Sequence, residues 1–115
     1  VSSPTQRTLV LLRREGFSAA IVERWNPHAR VRQDLFGCID VLAVRADRPG
    51  VLGVQATTTA NQAARLGKAL AAPELRAWLA AGNTFEVWGW RKNARGRWQV
   101  TTQPVTIEDL AARAG

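Results

Sequence analysis

Two short apolar runs near the middle of the chain constrain its fold more than any other feature. Residues 38–44 read Cys-Ile-Asp-Val-Leu-Ala-Val, and residues 51–56 read Val-Leu-Gly-Val-Gln-Ala. Asp47-Arg48-Pro49-Gly50 lies between them and is turn chemistry, so the runs predict two strands joined as a hairpin. Each run is interrupted once, by Asp40 in the first and Gln55 in the second. A carboxylate among aliphatic side chains is costly to bury unless something binds it. Pairing through the turn brings Asp40 and Gln55 together at one end of the hairpin. By two-residue alternation, Thr57 shares the face of Gln55.

The flanking segments supply helices and further strands. Ser3-Pro4-Thr5-Gln6 is a capping box with proline at the first helical position. Leu9 and Leu12, with Val10 and Leu11, follow at helical spacing, and Gly16 suits a left-handed terminus, which predicts a helix over 4–15. Residues 17–25 read as a strand stopped by Asn26-Pro27. Thr59-Ala60-Asn61-Gln62 opens a second helix that breaks near Pro73, restarts over 74–79 and ends at Gly82. Residues 84–91 and 97–102 form a last hairpin around Asn93-Ala94-Arg95-Gly96, and Thr106-Ile107-Glu108-Asp109 caps a tail helix. The order is α-β-β-β-α-β-β-α, a mixed α/β sandwich. Without repeats, low-complexity tracts or linkers, residues 1–115 read as a single domain.

Composition removes several chemistries. One cysteine, Cys38, excludes an internal disulfide framework, and with one histidine, His28, the ligands for a structural zinc site are too few. His28 sits in a polar loop without an obvious carboxylate partner, which argues against a Ser-His-Asp or Cys-His centre. Phosphate-cradling glycine loops are missing. No apolar run approaches the ~18 residues of a membrane span, and no leader pattern opens the chain. The expected location is the cytoplasm, at the nucleoid in a prokaryote. Sixteen Lys+Arg against nine Asp+Glu leave a net charge of +7, which favours a polyanionic partner, nucleic acid first.

What chemistry remains is the polar pair. A carboxylate and an amide oxygen converging on one point make an oxygen-rich site, hard enough for Mg²⁺ or Mn²⁺. Asp34 and Glu23 are candidates to complete it, because both fall at strand edges leading to that end. The alternative is a satisfied Asp–Gln hydrogen bond or a turn-stabilising aspartate.

Asp40, followed fifteen residues later by Gln55-Ala56-Thr57 across a hairpin flanked by two helices, resembles the core of PD-(D/E)xK nucleases. The order of elements is similar to Holliday-junction resolvases and related phage or plasmid endonucleases, and the likeness spans roughly residues 4–92. It implies a restriction-endonuclease-like fold, with a mixed central sheet and an α-β-β-β-α-β-β core. It also implies metal-dependent hydrolysis of DNA phosphodiesters, possible dimerisation, Asp40 as metal aspartate, Gln55 as second ligand and Thr57 at the lysine position.

The chain departs from that pattern. Ile39 replaces a loosely kept proline, Gln55 an acid and Thr57 the lysine. Thr5, Gln6 and Arg7 stand where resolvases place a glutamate in the first helix, and Glu15 lies at that helix's other end. Two substitutes are at hand. Arg65 and Lys68, at i and i+3 on the second helix, can present a cation in place of the lysine, while Glu23 or Asp34 can restore the lost charge. The competing readings are a degraded module of the same fold that holds DNA or a protein without cutting, and an inhibitor or structural protein with an acidic partner.

The expected DNA-binding surface is basic. Arg91, Lys92, Arg95 and Arg97 crowd one hairpin tip, and Arg30 and Arg32 precede the Asp40 strand and extend the patch. Trp88 and Trp90 share a strand face with Trp98 across from them; they can stack bases or pack on a helix, with the alanine-rich second helix and Trp78 as the expected partner.

Overall fold

The computed structural model describes residues 3–114. In chain order the elements are α1 (Pro4–Arg14), β1 (Ser18–Ile21), β2 (Arg24–Asn26), β3 (Val31–Gln33), β4 (Val41–Arg45), β5 (Arg48–Thr58), a 3-10 turn (Thr59–Asn61), α2 (Gln62–Ala71), α3 (Pro73–Ala80), β6 (Thr84–Lys92), β7 (Trp98–Val105) and α4 (Ile107–Ala114). Five strands make one sheet in the order β1-β4-β5-β6-β7, while β2 and β3 form a separate ribbon. Within the sheet only β5 and β6 run parallel, and the chain crosses between them through the 3-10 turn, α2 and α3. This is the mixed α/β sheet flanked by helices that the sequence predicts. No helix among the described residues is long and apolar enough to cross a membrane.

The sheet separates two apolar layers. On one face Leu9, Leu12 and Phe17 cover Val41, Ala43, Leu52, Val54, Trp88 and Trp90. On the other, Ala69, Leu75 and Leu110 pack with Cys38, Ile39, Phe85, Val87 and Val105. Each fully buried Leu, Ile or Phe stabilises by roughly 1.5–3 kcal/mol relative to exposure. Alternation along β5 therefore sends Val54 towards α1, and Gln55 towards α2.

The tryptophans follow the same rule, and the structure corrects their partner. Trp88 and Trp90 are buried against α1, not against the alanine-rich helix. The Trp90 indole N–H donates to Thr8 Oγ1 at 2.9 Å, which explains a fully buried threonine in an amphipathic helix. On the opposite face, Gly89 leaves room for Gln62, whose Oε1 would lie 2.5 Å from a Cβ at that position. Gln62 Nε2 in turn donates to the carbonyls of Val87 at 3.1 Å and Thr101 at 2.9 Å, pinning α2 to β6 and β7.

Several boundaries differ from the sequence expectation. The expected strand over 17–25 is divided: β1 joins the sheet, and β2 turns back onto β3. Asn26 does not end the segment; its Oδ1 accepts from the amides of His28 at 3.0 Å and Ala29 at 3.2 Å and builds the ribbon's turn. The central hairpin is tighter than expected, because Arg45 pairs with Arg48 and Ala46-Asp47 make the loop. The expected Thr59 capping box does not open the second helix: Thr58 Oγ1 accepts from Asn61 N at 3.3 Å and caps the 3-10 turn, and α2 begins at Gln62 without a side-chain cap. The break at Pro73 and the tail cap are as expected, Thr106 and Asp109 bonding reciprocally.

Candidate metal centre

Val41 pairs with Val54, so the residues just outside that pair, Asp40 and Gln55, meet at the carboxyl end of β5. Both are buried, 1% and 2% exposed. Asp40 Oδ2 accepts from Gln55 Nε2 at 2.7 Å and from the Ala56 amide at 2.8 Å. These bonds satisfy only one end of each side chain. Asp40 Oδ1 and Gln55 Oε1 are buried without a hydrogen-bond partner. Of the alternatives read from the sequence, the Asp–Gln bond forms, and it leaves two acceptor oxygens over. A buried acceptor with no donor costs free energy that a cation can recover.

Two further carboxylates complete the cluster. Glu23 immediately precedes β2 and Asp34 immediately follows β3, so the ribbon delivers both from its root. Glu23, Asp34 and Asp40 each bring an oxygen within 4.8 Å of the others, and this group can hold a metal ion. Burial, aided by the neighbouring Asp34 carboxyl and opposed by the Ala56 amide, pushes the Asp40 carboxyl up to about 9. Carboxyls this close cannot all ionise cheaply; a proton or a cation must sit among them. The donors are oxygens throughout, which suits a hard divalent ion. Cys38 is buried beside the site but outside the cluster, and burial, then Asp34 and Glu74, push its thiol up to about 11.

The cluster floors a cavity of about 640 Å³ lined by Gln55, Ala56, Arg32, Gln33, Gly37, Arg65 and Lys68 besides the three acids. Charge is layered with depth. The Asp34 and Glu23 side chains are 11% and 16% exposed, whereas Lys68 and Arg32 are 50% and 67% exposed at the rim. Lys68 Nζ lies 3.7 Å from Asp34 Oδ2, and Arg32 Nη1 lies 3.4 Å from Glu23 Oε1. Arg65 reaches the same cavity from α2.

Not every residue singled out in the sequence reaches the cavity. Thr57 is buried on the Gln55 face but lies outside the lining, and Glu15 is exposed at the far end of α1. Arg30 sits exposed in the ribbon turn with φ 54°, away from the lining. Arg91, Lys92, Arg95 and Arg97 are exposed at the β6–β7 tip. Gln55 pairs with Val87, so Arg91 stands four residues further along β6, roughly 13 Å beyond the site at the same end of the sheet. Sequence reasoning missed Gln33, Gly37 and the Ala56 amide. Only the unrecognised ribbon could have pointed to Gln33, and backbone donors leave no signal in residue type.

Comparisons of this chain with known protein families, with curated proteins and with solved structures find no match.

Proposed function

We propose that the chain is a metal-dependent DNA endonuclease of the PD-(D/E)xK type, hydrolysing phosphodiesters with Mg²⁺ or Mn²⁺ held by Asp40, Asp34, Glu23 and Gln55. The observation that carries this reading is the pair of unspent buried oxygens on Asp40 and Gln55 beside two more carboxylates, beneath a rim of cations. The order of α1, three antiparallel sheet strands (β1, β4, β5), a helical crossover and a parallel β6 accords with the core that the resemblance implies. A bound divalent ion lowers the pKa of water and offsets charge on a scissile phosphate.

The chain's own residues do the rest. Asp34 and Glu23 restore the negative charge that Gln55 lacks. Arg65 and Lys68 stand where a phosphate would enter, Lys68 steadied by Asp34, and substitute for the cation missing at Thr57. Fixed cations aimed at a charged reacting group stabilise it without reorganisation. The test is incubation with branched, linear and supercoiled DNA in Mg²⁺ and in Mn²⁺. Cutting that needs the metal and is lost in Asp40→Ala supports the reading; cutting that survives Asp40→Ala overturns it.

A second reading draws on Thr57 lying outside the cavity and Gln55 spending its amide N–H on Asp40. It makes the chain a degraded module of the same fold that holds DNA or a protein without cleaving. Salt-dependent DNA binding without metal binding, and with no product on any substrate, would favour it.

A further inference from the structure

The β2–β3 ribbon carries a group that the proposed chemistry leaves unused. Trp25 is 55% exposed, more than any other tryptophan described. It lies directly opposite Arg32, so the two side chains stand on one face of the ribbon. Arg32 lines the acidic cavity and pairs with Glu23, so Trp25 stands across the ribbon from a residue of the cavity rim while lying outside the lining itself. The position is held from below. The amides of Val22 and Glu23 donate to the backbone carbonyl of Asp40, at 2.8 and 3.3 Å, so the ribbon's root hangs on the residue at the centre of the cluster.

The surroundings of Trp25 select a polyanion. Residues 24–33 contain Arg24, Arg30 and Arg32 and no carboxylate. An indole offers a broad apolar face and a single N–H donor, a poor reader of base edges in a closed duplex and a good platform for the face of an unstacked base. Arg32, across the strand pair from it, and Arg30 in the ribbon turn can supply phosphate contacts beside that base.

We infer that Trp25 stacks on an unpaired base of the DNA next to the phosphate at the acidic cavity. The preferred substrate is then a strand with single-stranded or looped-out nucleotides, not a continuous duplex. This inference rests on the nuclease reading and adds the substrate class to it.

The experiment measures equilibrium binding by fluorescence anisotropy with Ca²⁺ replacing Mg²⁺, so that cleavage is not required. The probes are a thymidine homopolymer, a blunt duplex and the same duplex carrying a bulge. The wild-type protein should bind the homopolymer and the bulged duplex more tightly than the blunt duplex. Trp25→Ala should lose about ten-fold on those two while leaving the blunt duplex unchanged, and Trp25→Phe should retain most of the preference. Because Trp25 is exposed, unchanged circular dichroism and melting temperature should accompany the loss. Equal losses on all three probes, or no loss, would overturn the stacking role and leave the nuclease reading standing. No binding of wild-type protein to any probe would overturn both, and is the result expected if the ribbon holds a protein instead.

Discussion

The Lys68 ammonium stands 3.7 Å from the Asp34 carboxylate, linking α2 of the crossover to the foot of a ribbon outside the sheet. The pairing sets a rim cation against an acid of the cluster, and the two should nevertheless separate in function. Lys68→Met removes positive charge that competes with a metal ion. Mn²⁺ affinity, measured by calorimetry, should be retained or rise, while DNA cleavage should fall about 10²–10³-fold, as when a single stabilising donor is deleted. Parallel losses of metal binding and cleavage would make Lys68 a structural residue only.

Asp40 makes the metal-free protein sensitive to pH. Its carboxyl keeps the proton up to about 9 in the folded state, whereas an exposed aspartate releases it near ~4. Across that window the folded state binds a proton that the unfolded state lacks, so this group's contribution to stability falls as pH rises. In EDTA, the melting temperature of the wild-type protein should decline relative to that of Asp40→Asn between about pH 5 and pH 9. A gap between the two proteins that does not change with pH would contradict this.

Metal should reverse that penalty. At roughly a hundred times its dissociation constant, Mn²⁺ should stabilise the wild-type protein by about 2.7 kcal/mol. For a domain of this size that is a rise on the order of 10 °C in melting temperature. Asp34→Asn should shrink the rise and Asp40→Asn abolish it, both readable by thermal denaturation with and without EDTA.

The β6–β7 tip should act through charge alone. Replacing Arg91, Lys92, Arg95 and Arg97 with glutamine should weaken binding to all DNA forms alike. The slope of log affinity against log salt should flatten by roughly one unit for each phosphate that is no longer neutralised. Binding isotherms at several salt concentrations test this, and an unchanged slope would remove the tip from the interface.

Gln62 gives a check on the fold that is independent of function. Its buried amide joins α2 to the carbonyls of Val87 and Thr101. Gln62→Leu should cost about 1–3 kcal/mol in urea denaturation, because it deprives buried acceptors of a donor.

Local chemistry makes part of this molecule legible from the residues alone. The central hairpin, the meeting of Asp40 with Gln55, the helix break at Pro73 and the Thr106–Asp109 cap all depend on near neighbours. The ribbon is hidden because Asn26-Pro27 has the chemistry of a stop, and only the turn closed by Asn26 Oδ1 shows it to be a corner. Glu23 and Asp34 are legible as candidates at strand edges, whereas their delivery by opposite feet of one ribbon depends on a pairing between short polar strands. The partner of Trp88 and Trp90 escapes the sequence because it follows from the parallel register of β5 with β6, a long-range relationship that residue types do not encode.

The parallel β5–β6 pair also sets an order of assembly. The β4–β5 hairpin closes over Ala46-Asp47, whereas β6 can join β5 only after the whole helical crossover has been laid down. Closing the longer loop costs more entropy, so the short hairpin is the favoured nucleus and the parallel pairing the late step. The β6–β7 hairpin closes over a loop nearly as short, so the acids with Gln55 and the basic tip belong to two local units that the parallel pairing unites last. Substitutions in the β4–β5 hairpin should therefore slow refolding, and those on α2 and α3 that hold the crossover should chiefly hasten unfolding.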